Sequence, residues 1–123
     1  MKIGAVLVVD DNASLRRAMK SALEAAGYRV WLAANGKDAL ELQEEHHADV
    51  LVTDIFMPEA DGFETIERFR ASFPSVPIVV MSGDAQRAKG DYLSVAAMIG
   101  VEATLPKPFR METLLQTLHS LES

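Results

Sequence analysis

At 123 residues the chain has the length for one domain with one core, and its 49% apolar content excludes a disordered or fibrous protein. It has no cysteine, which excludes a disulfide scaffold, a thiolate metal site and a cysteine nucleophile. The net charge of −6 argues against nucleic-acid binding, which needs a basic face.

The chain opens with Met1-Lys2 and the apolar run Ile3 to Val9. That run is too short for a signal peptide, ends in Asp10-Asp11 and offers no small-residue cleavage site. No later stretch is long enough to span a bilayer, so a cytoplasmic protein is expected, and a reducing compartment fits. Ile3 to Val9 reads as a buried parallel strand. Asn12 or Ser14 can cap the next helix, in which Leu15, Ala18, Met19, Ala22, Leu23 and Ala26 form one apolar face ended by Gly27. Arg29 to Ala33 reads as a second strand at a sheet edge, because its polarity is mixed. Asn35-Gly36 is a turn signal, and a helix follows from about Lys37 to Glu45.

Asp49 to Thr53 is the third strand. It runs into Asp54, followed by a loop from Met57-Pro58 to Asp61-Gly62. The next helix turns Phe63, Ile66, Phe69 and Phe73 inward. Pro77 to Met81 is the fourth strand, ending at Ser82-Gly83. Asp84 to Gly90 is a polar loop without periodicity, and Asp91 to Ile99 a helix that is apolar almost all round. Glu102 to Leu105 is a weak last strand at the other edge. After Pro106-Lys107-Pro108-Phe109, the residues Met111, Leu114, Leu115, Leu118 and Leu121 mark a final amphipathic helix. The alternation of strand and helix predicts an α/β fold with a doubly wound, five-stranded parallel sheet and five helices in one domain spanning 1–123.

In such sheets, ligands bind beyond the carboxyl ends of the strands. Asp10, Asp11 and Asp54 are delivered to that edge. Crowded carboxylates repel one another unless a cation sits among them, and oxygen ligands of this kind suit Mg²⁺. The fourth strand adds the Ser82 hydroxyl and the fifth adds the Lys107 ammonium. A carboxylate surrounded by a hydroxyl, an ammonium and a dication is equipped to carry a phosphoryl group, with Asp54 as nucleophile. Each part also has a plain reading. Asp10-Asp11 can be a helix-start signal, Asp54 a turn residue, Ser82-Gly83 a loop and Lys107 solvated surface. Their coincidence at the ends of strands one, three, four and five favours the chemical reading.

The set Asp10-Asp11, Asp54, Met57-Pro58, Asp61-Gly62, Ser82-Gly83 and Lys107-Pro108-Phe109 resembles the receiver domain of two-component response regulators, over essentially the whole chain. The resemblance implies strand order 2-1-3-4-5 in a CheY-like, flavodoxin-like fold. It implies that Asp54 accepts a phosphoryl group from a sensor histidine kinase or a histidine phosphotransfer protein. It further implies Mg²⁺ held by Asp10, Asp11, Asp54 and the Phe56 backbone carbonyl, and Ser82 on a phosphoryl oxygen with a change of rotamer. Lys107 would pair with the phosphate, and the Lys107-Pro108 bond would be cis. The expected role is a phosphorylation switch rather than a metabolic enzyme, acting on a downstream protein and not on nucleic acid or membrane.

Two features depart from that pattern. Thr104 stands three residues before Lys107, where family members usually carry Tyr or Phe. The segment from Ser82 to Lys107 is longer than usual, with the excess in Asp84 to Gly90, which is expected to be mobile or unusually shaped. The helix after it offers a partner surface, and Asp84 a route to influence hydrolysis. A stand-alone receiver is expected, with a receiver cut from a longer protein as the alternative. An aspartyl-phosphate phosphatase would carry a second Asp where Phe56 stands, and a flavodoxin-like cofactor binder would not place Asp10-Asp11 against a phosphate. His46-His47 and His119 read as solvated helix positions.

Overall fold

The structure, a computed structural model, describes residues 2–57, 60–82 and 100–122. Five strands form one parallel sheet: β1 (Ala5–Val9), β2 (Arg29–Ala33), β3 (Val50–Asp54), β4 (Ile78–Ser82) and β5 (Ala103–Pro106), in the spatial order 2-1-3-4-5. The strands β1, β3 and β4 are buried along their whole length, as their unbroken apolar runs require of central parallel strands. Mixed polarity puts β2 at one edge, and β5 closes the other.

Alternation along each strand sends its side chains to two cores. Leu7, Val9, Leu51, Ile78 and Val80 pack on one face with Ala39 of α2 (Gly36–His46) and with Ile66 and Phe69 of α3 (Gly62–Ser72). Val6, Val8, Val52, Val79, Met81 and Leu105 pack on the other with Met19 and Leu23 of α1 (Ala13–Ala25) and with Leu114 and Leu118 of α4 (Met111–Leu121). Each fully buried Leu or Ile contributes about 1.5–3 kcal/mol over its exposed state, so these two layers hold the strand ends in place.

Several boundaries differ from the sequence reading. The first strand begins at Ala5, because the Asp49 carboxylate takes the N–H groups of Gly4 and Ala5 at 2.8 and 2.9 Å, in place of a strand partner. The last strand is Ala103–Pro106; Glu102 instead turns its carboxylate to the Ile78 N–H at 2.8 Å and to Arg70, which also donates to the Gly100 carbonyl. Ala18 and Ala26 lie exposed, so the buried stripe of α1 is narrower than its apolar pattern. The stretch after Asp54 includes a two-stranded antiparallel ribbon, Phe56–Met57 with Ala60–Asp61. Four helices are present among the described residues. Pro58, the Gly83 turn, the Asp84 to Gly90 loop and the expected Asp91 to Ile99 helix lie outside them.

His46 is not simply a solvated helix end. Its ring stacks on Trp31 of β2, with centroids 3.9 Å apart and planes 16° from parallel. His47 closes α2 in the left-handed conformation, at φ 54°. Beyond α4, the Glu122 carboxylate accepts hydrogen bonds from the Ile3 N–H at 3.0 Å and the Tyr28 hydroxyl at 3.2 Å, and lies 3.6 Å from His119. The Ile3 N–H in particular holds this carboxyl below its usual range, against the effect of burial and with help from Tyr28 and His119.

A Cβ at Gly36 would sit 2.0 Å from the Thr65 hydroxyl, on a short, β-branched and buried side chain. Although alanine favours helix by about 1 kcal/mol, Gly36→Ala should lower stability by about 1–3 kcal/mol through overpacking, read by urea denaturation. Because the Glu122 pKa is depressed in the folded state, its contribution is present above the unfolded pKa and lost as pH falls through the folded one. The urea midpoints of wild type and Glu122→Gln should therefore differ at neutral pH and converge in acid.

Candidate functional site

Four strand ends meet at the site. Asp10 follows the last residue of β1, and its backbone N–H donates to the Ala33 carbonyl of β2 at 3.1 Å, which prolongs the ladder by one residue. Asn12 then caps α1 by accepting from the Leu15 N–H at 3.0 Å. The chain therefore turns sharply at Asp10-Asp11, leaving Asp10 fully buried and Asp11 exposed. Asp54 ends β3 opposite Met81 of β4 and is 3% exposed. The Ile55 N–H continues that pairing by donating to the Met81 carbonyl at 3.0 Å.

Lys107 arrives from β5. Its backbone N–H donates to the Ser82 carbonyl at 2.9 Å, and the Lys107–Pro108 peptide is cis, as the resemblance implied. The ammonium Nζ donates to Asp10 Oδ2 at 2.6 Å and to Asp54 Oδ2 at 3.1 Å. Burial alone would lower the Lys107 pKa. The Asp10 hydrogen bond and the charges of Asp54 and Asp10 outweigh that, so the group titrates above its ordinary range and is a cation at neutral pH. The other oxygen of Asp10, Oδ1, accepts from the Asn12 N–H at 2.9 Å.

One carboxylate oxygen from each of Asp10, Asp11 and Asp54 lies within 4.8 Å of the other two. Such a set of hard oxygen donors, part buried and part open, fits a hard divalent cation. Ser82 ends β4, one residue beyond the register partner of Asp54, and is fully buried. Its Oγ has no hydrogen-bond partner among the described residues. A hydroxyl donor thus stands buried at the same sheet edge as the carboxylates.

The residues singled out from sequence thus fall as follows. Asp10, Asp11, Asp54 and Lys107 converge, and sheet register carries Ser82 to the same edge. Phe56 lies two residues past Asp54 in the antiparallel ribbon, paired with Asp61. Gly83 and Asp84 are outside the described residues. Thr104 is exposed on β5, in register with Val80, so no aromatic ring occupies that position. Of the histidines, His46 belongs to the Trp31 stack and His119 to the Glu122 contact. One contact was not anticipated: Arg16 of α1 donates from Nη1 to the Asp10 carbonyl at 2.7 Å. Its sequence signal is a basic residue near a helix start that has no acidic residue in its first turn.

Comparisons with known proteins identify the family. Residues 6–119 match the response regulator receiver domain family. The response regulator MprA of Mycolicibacterium vanbaalenii is 34% identical over 117 residues, covering 94% of this chain and 49% of the relative. That of Mycobacterium ulcerans is 35% identical over the same length. The chain therefore spans about half the length of these curated relatives. Among solved structures, the chemotaxis response regulator CheY4 of Vibrio cholerae superimposes with a TM-score of 0.83 at 33% identity, covering 98% of this chain and 99% of that one. The receiver domain of AraT from Geobacillus stearothermophilus gives 0.83 at 27% identity, covering 98% and 94%. With the family model matched over most of its length and the strand order 2-1-3-4-5 in place, the chain belongs to the response regulator receiver domain family.

Proposed function

We propose that this chain is a phosphoacceptor switch of the cytoplasm. Asp54 takes a phosphoryl group from a sensor histidine kinase or a histidine phosphotransfer protein in a Mg²⁺-dependent step. The phosphorylated form then signals through contacts with a downstream protein, without touching nucleic acid itself. The observation that carries this reading is the Lys107 ammonium held between buried Asp10 and Asp54, with Asp11 beside them.

In the transfer, an Asp54 carboxylate oxygen forms a bond to phosphorus while the phosphorus–nitrogen bond of the donor phosphohistidine breaks. The electron pair of that bond stays with the imidazole nitrogen, which is then protonated. Lys107 turns from the carboxylates toward a phosphoryl oxygen and offsets the charge gathered there. The Ser82 hydroxyl donates to another phosphoryl oxygen, which gives the buried donor the partner it lacks among the described residues. Asp11, Asp54, Asp10 and the Phe56 carbonyl would hold the Mg²⁺. When bound, the ion supplies positive charge that lets an anionic phosphoryl group approach an anionic carboxylate. Reversal of the switch is hydrolysis: water attacks phosphorus, the phosphorus–oxygen bond to Asp54 breaks and the free carboxylate returns. The protein assists both steps and turns over no metabolite.

Intact-mass measurement after incubation with acetyl phosphate and Mg²⁺ tests the assignment. Wild type should gain one phosphoryl group, and Asp54→Asn none, with chelation of Mg²⁺ abolishing the gain. Lys107→Met should slow labelling about a hundredfold, the scale of losing one oxyanion-stabilising donor. Equal labelling of wild type and Asp54→Asn would end the proposal.

A further inference from the structure

The Asp10-Asp11 corner is held very unevenly. Asp10 is fixed by its N–H on the Ala33 carbonyl, by Asn12 on Oδ1 and by Lys107 on Oδ2. Asp11 is exposed, and among the described residues its carboxylate has no hydrogen-bond or ionic partner. Its place in the acidic cluster therefore rests on the backbone. The peptide that carries it is the planar unit made by the Asp10 carbonyl and the Asp11 nitrogen. Among the described residues one side chain grips that unit: Arg16 Nη1 donates to the Asp10 carbonyl at 2.7 Å.

The position of Arg16 has a cost. It is the fourth residue of α1, where the helix dipole favours acidic rather than basic side chains, and the first turn holds no acid to offset it. The guanidinium is also a cation close to a cluster that would bind a cation. Against both effects the side chain folds back six residues to the carbonyl and is half-buried there. A charge-assisted hydrogen bond to a single carbonyl is strong and directional, and that carbonyl sets the plane from which Asp11 departs.

We infer that Arg16 is a positioning residue for the dication, which acts by locking the Asp10–Asp11 peptide so that the Asp11 carboxylate stays within reach of Asp54. This rests on the reading that the acidic cluster binds Mg²⁺. Residues that orient metal ligands typically contribute ten- to a hundredfold to metal affinity. Arg16 acts through the backbone and not on a ligand atom, so the lower end applies.

Calorimetric titration of the full chain with MgCl₂ tests this, with wild type, Arg16→Met, Arg16→Gln and Arg16→Lys compared after circular dichroism has confirmed folding. Arg16→Met should bind Mg²⁺ about tenfold more weakly. Arg16→Gln and Arg16→Lys keep an N–H donor and should recover part of the loss, which a purely structural role would not produce at temperatures well below unfolding. Folded variants that all bind Mg²⁺ as tightly as wild type would overturn the inference. So would tighter binding by Arg16→Met and Arg16→Gln, the result if the guanidinium only repelled the ion. Should Arg16→Met fail to fold, Arg16→Gln and Arg16→Lys still decide, since equality of both with wild type refutes positioning. Wild type that binds no Mg²⁺ would remove the cation reading itself, and this inference with it.

Discussion

An ammonium between two buried carboxylates is the constraint on which this molecule depends. Asp10 and Asp54 are almost wholly withdrawn from water, and two unpaired charges at that depth would cost several kcal/mol each. Lys107 compensates both from the end of an edge strand. The ion pair therefore ties β1, β3 and β5 together at the edge where ligands of open α/β sheets bind. Because one lysine serves two acids, any incoming dication or anion must compete with an existing contact. The resting site is thus poised to exchange partners.

The sheet supplies the rigidity that such a site needs. Central strands buried on both faces fix the height at which each strand ends, and the ladder bonds from Asp10, Ile55 and Lys107 carry that order one residue beyond the strands themselves. At the opposite edge, carboxylates serve a different purpose. Asp49 and Glu102 close the open N–H groups at the starts of β1 and β4, and Glu122 secures Ile3 before β1. The same chemical group thus secures the structural edge and furnishes the chemical one, the difference being whether backbone donors or side-chain cations face it.

Most of this architecture was readable from the amino acids alone. Apolar runs that stop at Asp10, Asp54 and Ser82 mark both strand identity and strand end, so period and termination together revealed which residues share an edge. The contacts at the structural edge were not readable. Glu122 and Ile3 are 119 positions apart, Asp49 and Gly4 are 45, and nothing local in a glutamate or aspartate says which distant N–H it will meet. The exposure of Ala18 and Ala26 shows a further limit, since alanine is apolar enough to count toward a stripe and small enough to lie outside it. Arg16 escaped notice because its role is set by a carbonyl, which every residue has.

The stack of His46 on Trp31 has a practical consequence. Trp31 is the sole tryptophan of the chain, and the imidazole lies against its face at van der Waals distance. An imidazole so close is a natural quencher of indole emission, more so once protonated. The protein thereby carries a built-in optical probe of the seam between its edge strand and α2, sensitive to separation of the two rings and needing no label.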